Sequence, residues 1–400
     1  MATIVGLGLS TKLDSFGAGR EAAQGAYYQV KRQTPNLIIV FISTIFSQVE
    51  AMKGIRSIMR ESPLIGCSSA GSIVTTGIFR NSVSVFAIRS DSISFSLSMA
   101  KRVSKNARSA GYEVANQAFT KSSKEKTTKA FMMFSDSLSG NGADILRGAQ
   151  EVLGTSFPII GGSAADELRF QKTYQYLNNS IYTDSIAGLL ISGDIDIVIG
   201  KAHGWQPIGK PHRITKARSN IIREIDGRTA VELYEEYFGK SLEELKNYGI
   251  GKLGISYPLG IRMKGKNEYL IRAPLRLEDS GSLVLNAEIP EGEDVNLMMG
   301  DKNLCLDATR DMCSEVNKDI YARNISFVTV FSDIARYNLL RNNAREEIEI
   351  IKEHFGKNTP IIGCYTYGQY SSPGKYEYKG WSNFHNQALS IAVFSEHTKK

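Results

Sequence analysis

The segment Pro63-Leu64-Ile65-Gly66-Cys67-Ser68-Ser69-Ala70-Gly71 decides how this chain is read, because it returns twice. It recurs as Pro158-Ile159-Ile160-Gly161-Gly162-Ser163-Ala164-Ala165-Asp166 and as Pro360-Ile361-Ile362-Gly363-Cys364-Tyr365-Thr366-Tyr367-Gly368. Each copy follows an apolar run ending in a hydroxyl: Leu37–Ser43, Ala130–Ser135 and Phe327–Ser332. Runs of this length, rich in β-branched and aromatic residues, read as strands buried on both faces. From the terminal serine to the signature glycine the distance is 23, 26 and 31 residues (43 to 66, 135 to 161, 332 to 363). That leaves room for one helix each time. Apolar spacing supports the helices at Val49, Met52, Ile55 and Met59, at Ile145, Ala149 and Val152, and at Ile348, Ile351 and Phe355.

Working outward, each signature leads to another strand, at Val83–Ile88, Ile186–Ser192 and Ala388–Phe394. A further helix is expected before each unit, near residues 17–32, 106–119 and 306–320. The fold class that follows is α/β: three repeated strand–helix–strand units forming mixed sheets covered by helices. Residues 201–300 break the pattern. They read as an inserted α+β region with a helix at Ala230–Phe238 and short strands punctuated by Asp279-Ser280-Gly281 and Pro290-Glu291-Gly292. The expected division is 1–222, holding two units, and 223–400, holding the third unit and the insertion.

The chain has 400 residues, 42% hydrophobic and 22% charged, enough apolar material for a sizeable core without cross-links. No stretch reaches the ~18 apolar residues of a membrane span, and the first residues have no secretory pattern, so a cytoplasmic location without membrane insertion is expected. The four cysteines have neither CxxC nor zinc-finger spacing, and reduced thiols are expected. The +7 net charge has its densest cluster at Lys201, Lys210, Arg213, Lys216 and Arg218. No nucleic-acid motif accompanies it. It fits attraction for anionic ligands or acidic partner proteins.

In the signature, Pro fixes φ at a strand entry, and Gly permits either a positive φ or a close backbone approach. The small residues after it would leave N–H groups and hydroxyls free at the end of a parallel strand, where α/β proteins bind ligands. The candidate ligand-binding residues are therefore Gly66, Cys67, Ser68, Ser69, Gly161, Gly162, Ser163, Gly363, Cys364, Tyr365 and Thr366. Asp136 and Asp333 follow two of the strands, with Thr44 expected in the first unit. They either hold a ligand ammonium or cap the following helix. Cys67 and Cys364 read as small buried residues, with a nucleophilic role as the rival. His203 and His385 are not spaced as a metal triad; either is a candidate axial haem ligand. Gly6–Lys12 lacks the Gly-Lys pair of a phosphate loop, and no G-x-S-x-G elbow or ordered triad occurs.

At these residues the sequence resembles the FIST family (F-box and intracellular signal transduction), with its N and C modules. The resemblance runs through Ile65–Gly71, Ile160–Asp166, Ala202–Gly209 with Thr215, Glu224–Ala230 with Tyr234, Ile362–Gln369 and Asn383–Phe394. It implies a signal-input module for a small ligand, an amino acid being the usual suggestion. A haem-based nitric-oxide sensor acting on a histidine kinase is one alternative. A hydrolase or acyltransferase using Ser68, Ser163 or Cys67 is the other. The chain carries no kinase, cyclase or chemoreceptor segment, so its output is expected to pass to a separate one. Where the family often has Gly-Glu, this chain has Gly368-Gln369.

Overall fold

A computed structural model describes residues 3–263, 268–320, 324–372 and 382–396. The first unit runs β1 (Ile4–Ser10), α1 (Ser15–Gln29), β2 (Leu37–Ser43), α2 (Gln48–Ile58), β3 (Leu64–Ser69), the hairpin β4 (Ser72–Val74) and β5 (Gly77–Phe79), then β6 (Val83–Arg89). The second repeats this order as β7 (Ile93–Lys101), α3 (Ala107–Lys121), β8 (Thr128–Ser135), α4 (Gly142–Leu153), β9 (Ile159–Ser163), β10 (Gln175–Leu177), β11 (Ser180–Tyr182) and β12 (Ser185–Gly193). The third opens with β13 (Asp196–Ala202). The insertion follows: β14 (Trp205–Arg218), β15 (Ile221–Ile225), β16 (Arg228–Thr229), α5 (Glu232–Phe238), α6 (Leu242–Tyr248), α7 (Ile250–Ser256), β17 (Leu259–Arg262), β18 (Tyr269–Arg272), β19 (Pro274–Leu277), β20 (Leu283–Leu285) and β21 (Asp294–Gly300). The unit then resumes with α8 (Lys302–Lys318), β22 (Asn324–Asp333), α9 (Ile334–Leu340), α10 (Ala344–Phe355), β23 (Ile361–Thr366), β24 (Gly368–Ser371), β25 (Asn383–His385) and β26 (Leu389–Glu396).

The α/β repeat architecture and the inserted α+β region stand as expected. The third unit differs in detail. Its longer gap holds two helices, α9 and α10, joined by a 3-10 turn at Arg341–Asn343 rather than one helix. The expected division at 222/223 falls inside β15.

Three six-stranded sheets share one order, and each borrows its last two strands from another unit. The first is β1-β6-β2-β3 followed by the second unit's β10-β11. The second is β7-β12-β8-β9 followed by the third unit's β24-β25. The third is β13-β26-β22-β23 followed by the first unit's β4-β5. Only the signature strand and its predecessor pair in parallel within each unit; the other neighbours are antiparallel.

The helices lie on the outer faces. The alanine stripe of α1 (Ala18, Ala22, Ala26) packs on Ile38, Val40 and Ile42, and α3 and α4 cover Phe131 and Met133 in the same way. The inner faces of the three sheets close on a common core. At its centre one phenylalanine from each unit, Phe41, Phe134 and Phe331, meets the other two edge-to-face. Their ring centroids are 5.6, 6.2 and 5.7 Å apart, an arrangement that favours aromatic pairs beyond their area burial.

Candidate functional site

The signature is strand, not loop. Gly66, Gly161 and Gly363 pair in register with Val40, Met133 and Val330. A Cβ on each would stand 1.9, 2.0 and 1.7 Å from the carbonyl oxygen of that partner. Close backbone approach is therefore the reason for glycine, as expected, but the approach is to the neighbouring strand. The N–H groups beyond it are also taken. Ala70 donates to the Tyr365 carbonyl, Ala165 to that of Ser68, and Tyr367 to that of Ser163, each at 3.1 Å. These three bonds form a cyclic exchange, unit one to three, two to one, three to two.

The side chains follow suit. Cys67 and Cys364 lie side by side in the core, and burial pushes the Cys364 thiol far up. The Ser68 hydroxyl accepts the Tyr174 N–H, Ser163 Oγ donates to the Gly368 carbonyl, and Thr366 Oγ1 donates to that of Ser332. Gly162 is pressed against the Thr366 side chain. Ser69 Oγ and Tyr365 Oη are buried without a hydrogen-bond partner among the described residues. Burial thus disfavours a Cys364 thiolate, and among the described residues no imidazole is hydrogen-bonded to these hydroxyls.

The two acids past the strands are engaged in structural hydrogen bonds: Asp333 caps α9, whereas α4 is capped by Asn141 rather than by Asp136. Pairing registers make Ser43, rather than Thr44, the counterpart of Asp136 and Asp333. All three donate their backbone N–H to the residue just before the unit's last strand or at its start: Ser82, Ser185 and Ala388. Asp136 accepts from Leu138 N–H, Thr173 Oγ1 and Asp184 N–H at 2.8–3.0 Å. Asp333 caps α9 through Ala335 N–H at 2.9 Å and accepts Gln387 N–H at 2.8 Å. Asp184 and Gln387 hold positive φ (48° and 53°), as does Asn81 at the same point of the first unit. Burial raises the Asp333 pKa, against these bonds that lower it. Gln369 Nε2 reaches Asp333 at 3.5 Å and Thr366 at 2.9 Å.

The three units differ most where the first strand of each meets its own exchanged hairpin. The registers make Phe79, Tyr182 and His385 equivalent on the hairpins. On the first strands, Leu9, Met99 and Lys201 correspond. One step beyond the Lys201 level, Lys101 corresponds to His203. In the second unit the Lys101 ammonium covers the Tyr182 ring at 4.6 Å. In the third, two histidines and a lysine occupy these places.

Three permanent cations, Lys201, Arg272 and Arg336, act on this third junction. Burial and the charges of Lys201, Arg272 and His203 hold His385 well below the usual histidine range. Burial, then Lys201 and Arg336, bring His203 down to about 4. His203 Nδ1 accepts the Trp205 N–H at 3.0 Å, which leaves the neutral ring's proton on Nε2. Lys201 Nζ pairs with Glu268 at 2.7 Å. Arg272, fully buried, donates to the Glu288, Ile271 and Phe384 carbonyls and to Asn386 Oδ1. His385 Nε2 and Gln387 Oε1 are buried with no hydrogen-bond partner among the described residues. Sequence reading had singled out both histidines but had not joined them. Lys201 stood out there only as part of a basic run, and Glu268 and Arg272 carry no local signal. The insertion alone brings them in.

Family models match the FIST N domain over residues 36–228 and the FIST C domain over 230–372. The chain belongs to the FIST family. FIST domains are associated with sensory roles in signal transduction. Among curated relatives, an uncharacterized protein of Methanocaldococcus jannaschii is 24% identical over 395 residues, covering 90% of this chain and 73% of that protein. One of Mycobacterium tuberculosis is 22% identical over 309 residues, covering 74% of this chain and 76% of its own length. Two cyanuric acid hydrolase structures align at TM-scores of 0.38 and 0.39 with 8% identity, over 99–100% of both chains. At that score they carry no argument about this FIST protein.

Haem does not fit the junction as it stands. His385 is only 4% exposed, and with its Nδ1 accepting the Trp205 N–H the neutral His203 ring carries its proton on Nε2, the nitrogen an iron would need. No group of three or more metal-ligating side chains occurs among the described residues. No helix among them is long and apolar enough to cross a membrane.

Proposed function

We propose that this FIST protein is a ligand-binding sensory module, and that its ligand is a small polar anion or zwitterion, such as an amino acid. The junction of the third unit with the insertion is the site. One observation carries the reading: His385 Nε2 is buried and without a hydrogen-bond partner among the described residues, where Lys201 and Arg272 bring positive charge. A buried polar atom left unsatisfied costs about 1–3 kcal/mol, and an anion's oxygen would recover it. Glu268, already against Lys201, supplies the counter-charge a ligand ammonium needs. The signature strands and the two aspartates would then build the frame, because their glycines are closed off by neighbouring carbonyls and the Asp136 and Asp333 carboxylates are already hydrogen-bonded within it.

The site lies between two bodies of structure, so occupancy would shift their relative position. The output would pass to a separate signalling protein such as a histidine kinase, cyclase or chemoreceptor. Native mass spectrometry of the freshly purified protein, followed by calorimetric titration with L-amino acids, tests the reading. Binding is expected, with affinity reduced at least ten-fold in His385→Ala and in Lys201→Met. Binding that both variants leave intact would move the site elsewhere.

A further inference from the structure

The loop from Asp166 to Lys172 leaves the signature strand β9 and crosses the end of the molecule where the three units meet. Three of its residues, none of them glycine, hold left-handed backbone: Glu167 (φ 56°), Leu168 (φ 66°) and Phe170 (φ 51°). Such conformations cost energy and persist only when the surroundings over-determine them. Here they do. The Asp166 carboxylate accepts the N–H groups of Phe170, Gln171 and Lys172 at 2.7–3.0 Å and the Tyr367 hydroxyl of the third unit at 2.5 Å. That hydroxyl in turn accepts the Leu168 N–H at 2.6 Å. The Glu167 carboxylate accepts the Thr44 N–H at 3.0 Å and the hydroxyls of Ser43 and Thr44 in the first unit.

All this bonding holds apolar side chains out in water. Leu168 is 41% exposed and Phe170 51%, the latter stacked on Tyr367 at 4.8 Å. Ile45, next to the Thr44 that Glu167 grips, is 42% exposed. Both loop carboxylates are spent inward, so the charges the loop shows to solvent are cationic. The Arg169 side chain has no partner among the described residues, and the exposed Lys172 has its ammonium 5.3 Å from the centre of the Tyr174 ring.

We propose that the 166–172 loop is the docking surface for an acidic, apolar segment of a partner protein, with Leu168 and Phe170 as anchors and Arg169 and Lys172 as the charged rim. Phenylalanine and arginine are both enriched at protein interfaces relative to the rest of the surface, and the opposite-sign rim steers the encounter. Two cations on a fixed loop are too few for a lipid surface, which needs a larger basic cluster. The loop is pinned to the first unit through Glu167 and to the third through Tyr367, so any movement between units reaches it. The proposal stands independently of the ligand site.

A fluorescent amphipathic peptide of alternating leucine and glutamate is the probe, with a leucine–lysine peptide and phosphatidylserine vesicles beside it. Fluorescence anisotropy is expected to show salt-sensitive binding of the acidic peptide only. The Leu168→Ser/Phe170→Ser variant should weaken it at least ten-fold, and Arg169→Glu/Lys172→Glu should switch preference to the lysine peptide. Thermal melts matching wild type would show that these exposed changes leave the fold intact. No binding of the acidic peptide, equal binding by both variants, or preference for vesicles would each overturn the proposal.

Discussion

At the residue scale, His203 shows how the third unit's departure from symmetry stores a cost. Its counterpart in the second unit is Lys101, whose ammonium reaches an aromatic ring at the surface. His203 is instead held neutral by burial and by Lys201 and Arg336. A folded-state pKa of about 4 against an unfolded value near 6.5 means that the unfolded chain binds the extra proton first. The stabilisation is therefore complete above pH ~6.5 and is lost as pH falls from there towards 4. Urea midpoints at pH 7 and pH 5 should differ by the equivalent of about 2 kcal/mol in wild type, with His385 adding in the same direction. In His203→Gln that difference should shrink clearly; an unchanged pH dependence would mean that the imidazole is charged in the folded protein.

At the same scale, the signature reads correctly as a place where only glycine fits, and the reading fails on why. Proline and two aliphatics announce entry to a core. Nothing in Gly66-Cys67-Ser68-Ser69 tells a strand from a strand-end loop, because small residues serve both. The difference lies in Val40 and its equivalents, whose carbonyls occupy the space a Cβ would need.

At the element scale, α8, α9 and α10 are tied by one buried pair. Arg336 and Glu347 are 0% and 2% exposed. The guanidinium also donates to the His203 and Cys305 carbonyls and to Thr309 Oγ1. This links the third unit's helices to the point where the chain enters the insertion. Removing one partner strands a charge, whereas removing both need not. Glu347→Ala should cost about 3–5 kcal/mol in denaturant unfolding, and Arg336→Met/Glu347→Leu should recover most of that loss. Equal losses in the single and double variants would show that the other bonds of Arg336 dominate. The extra helix α9 is part of this device, and the longer 332-to-363 spacing was its trace in the sequence.

At the scale of the whole molecule, the exchanged hairpins decide what can fold alone. Sheet three needs β4-β5 from the first unit, and sheet two needs β24-β25 from the third. A fragment of residues 1–222 would keep two complete unit cores yet leave β9 with an open edge and β4-β5 without a sheet. Exposed strand edges of this kind aggregate. The fragment should show no cooperative thermal transition, while the full chain unfolds the three units together. A sharp calorimetric transition in the fragment would mean that the exchange is dispensable.

The sequence by itself determined the three units, their buried strands, the helices between them and the break at the insertion. Each rests on local periodicity and on an internal repeat, and both are properties of neighbouring residues. Only the tertiary structure decided that Phe41, Phe134 and Phe331 meet on one axis, that the hairpins change sheets, and that Lys201, His203, Arg272 and His385 converge. Those residues lie as much as 184 positions apart in the chain (201 to 385). What joins them is the closing of three sheets around a shared core, and no local pattern of hydrophobicity encodes which edge meets which.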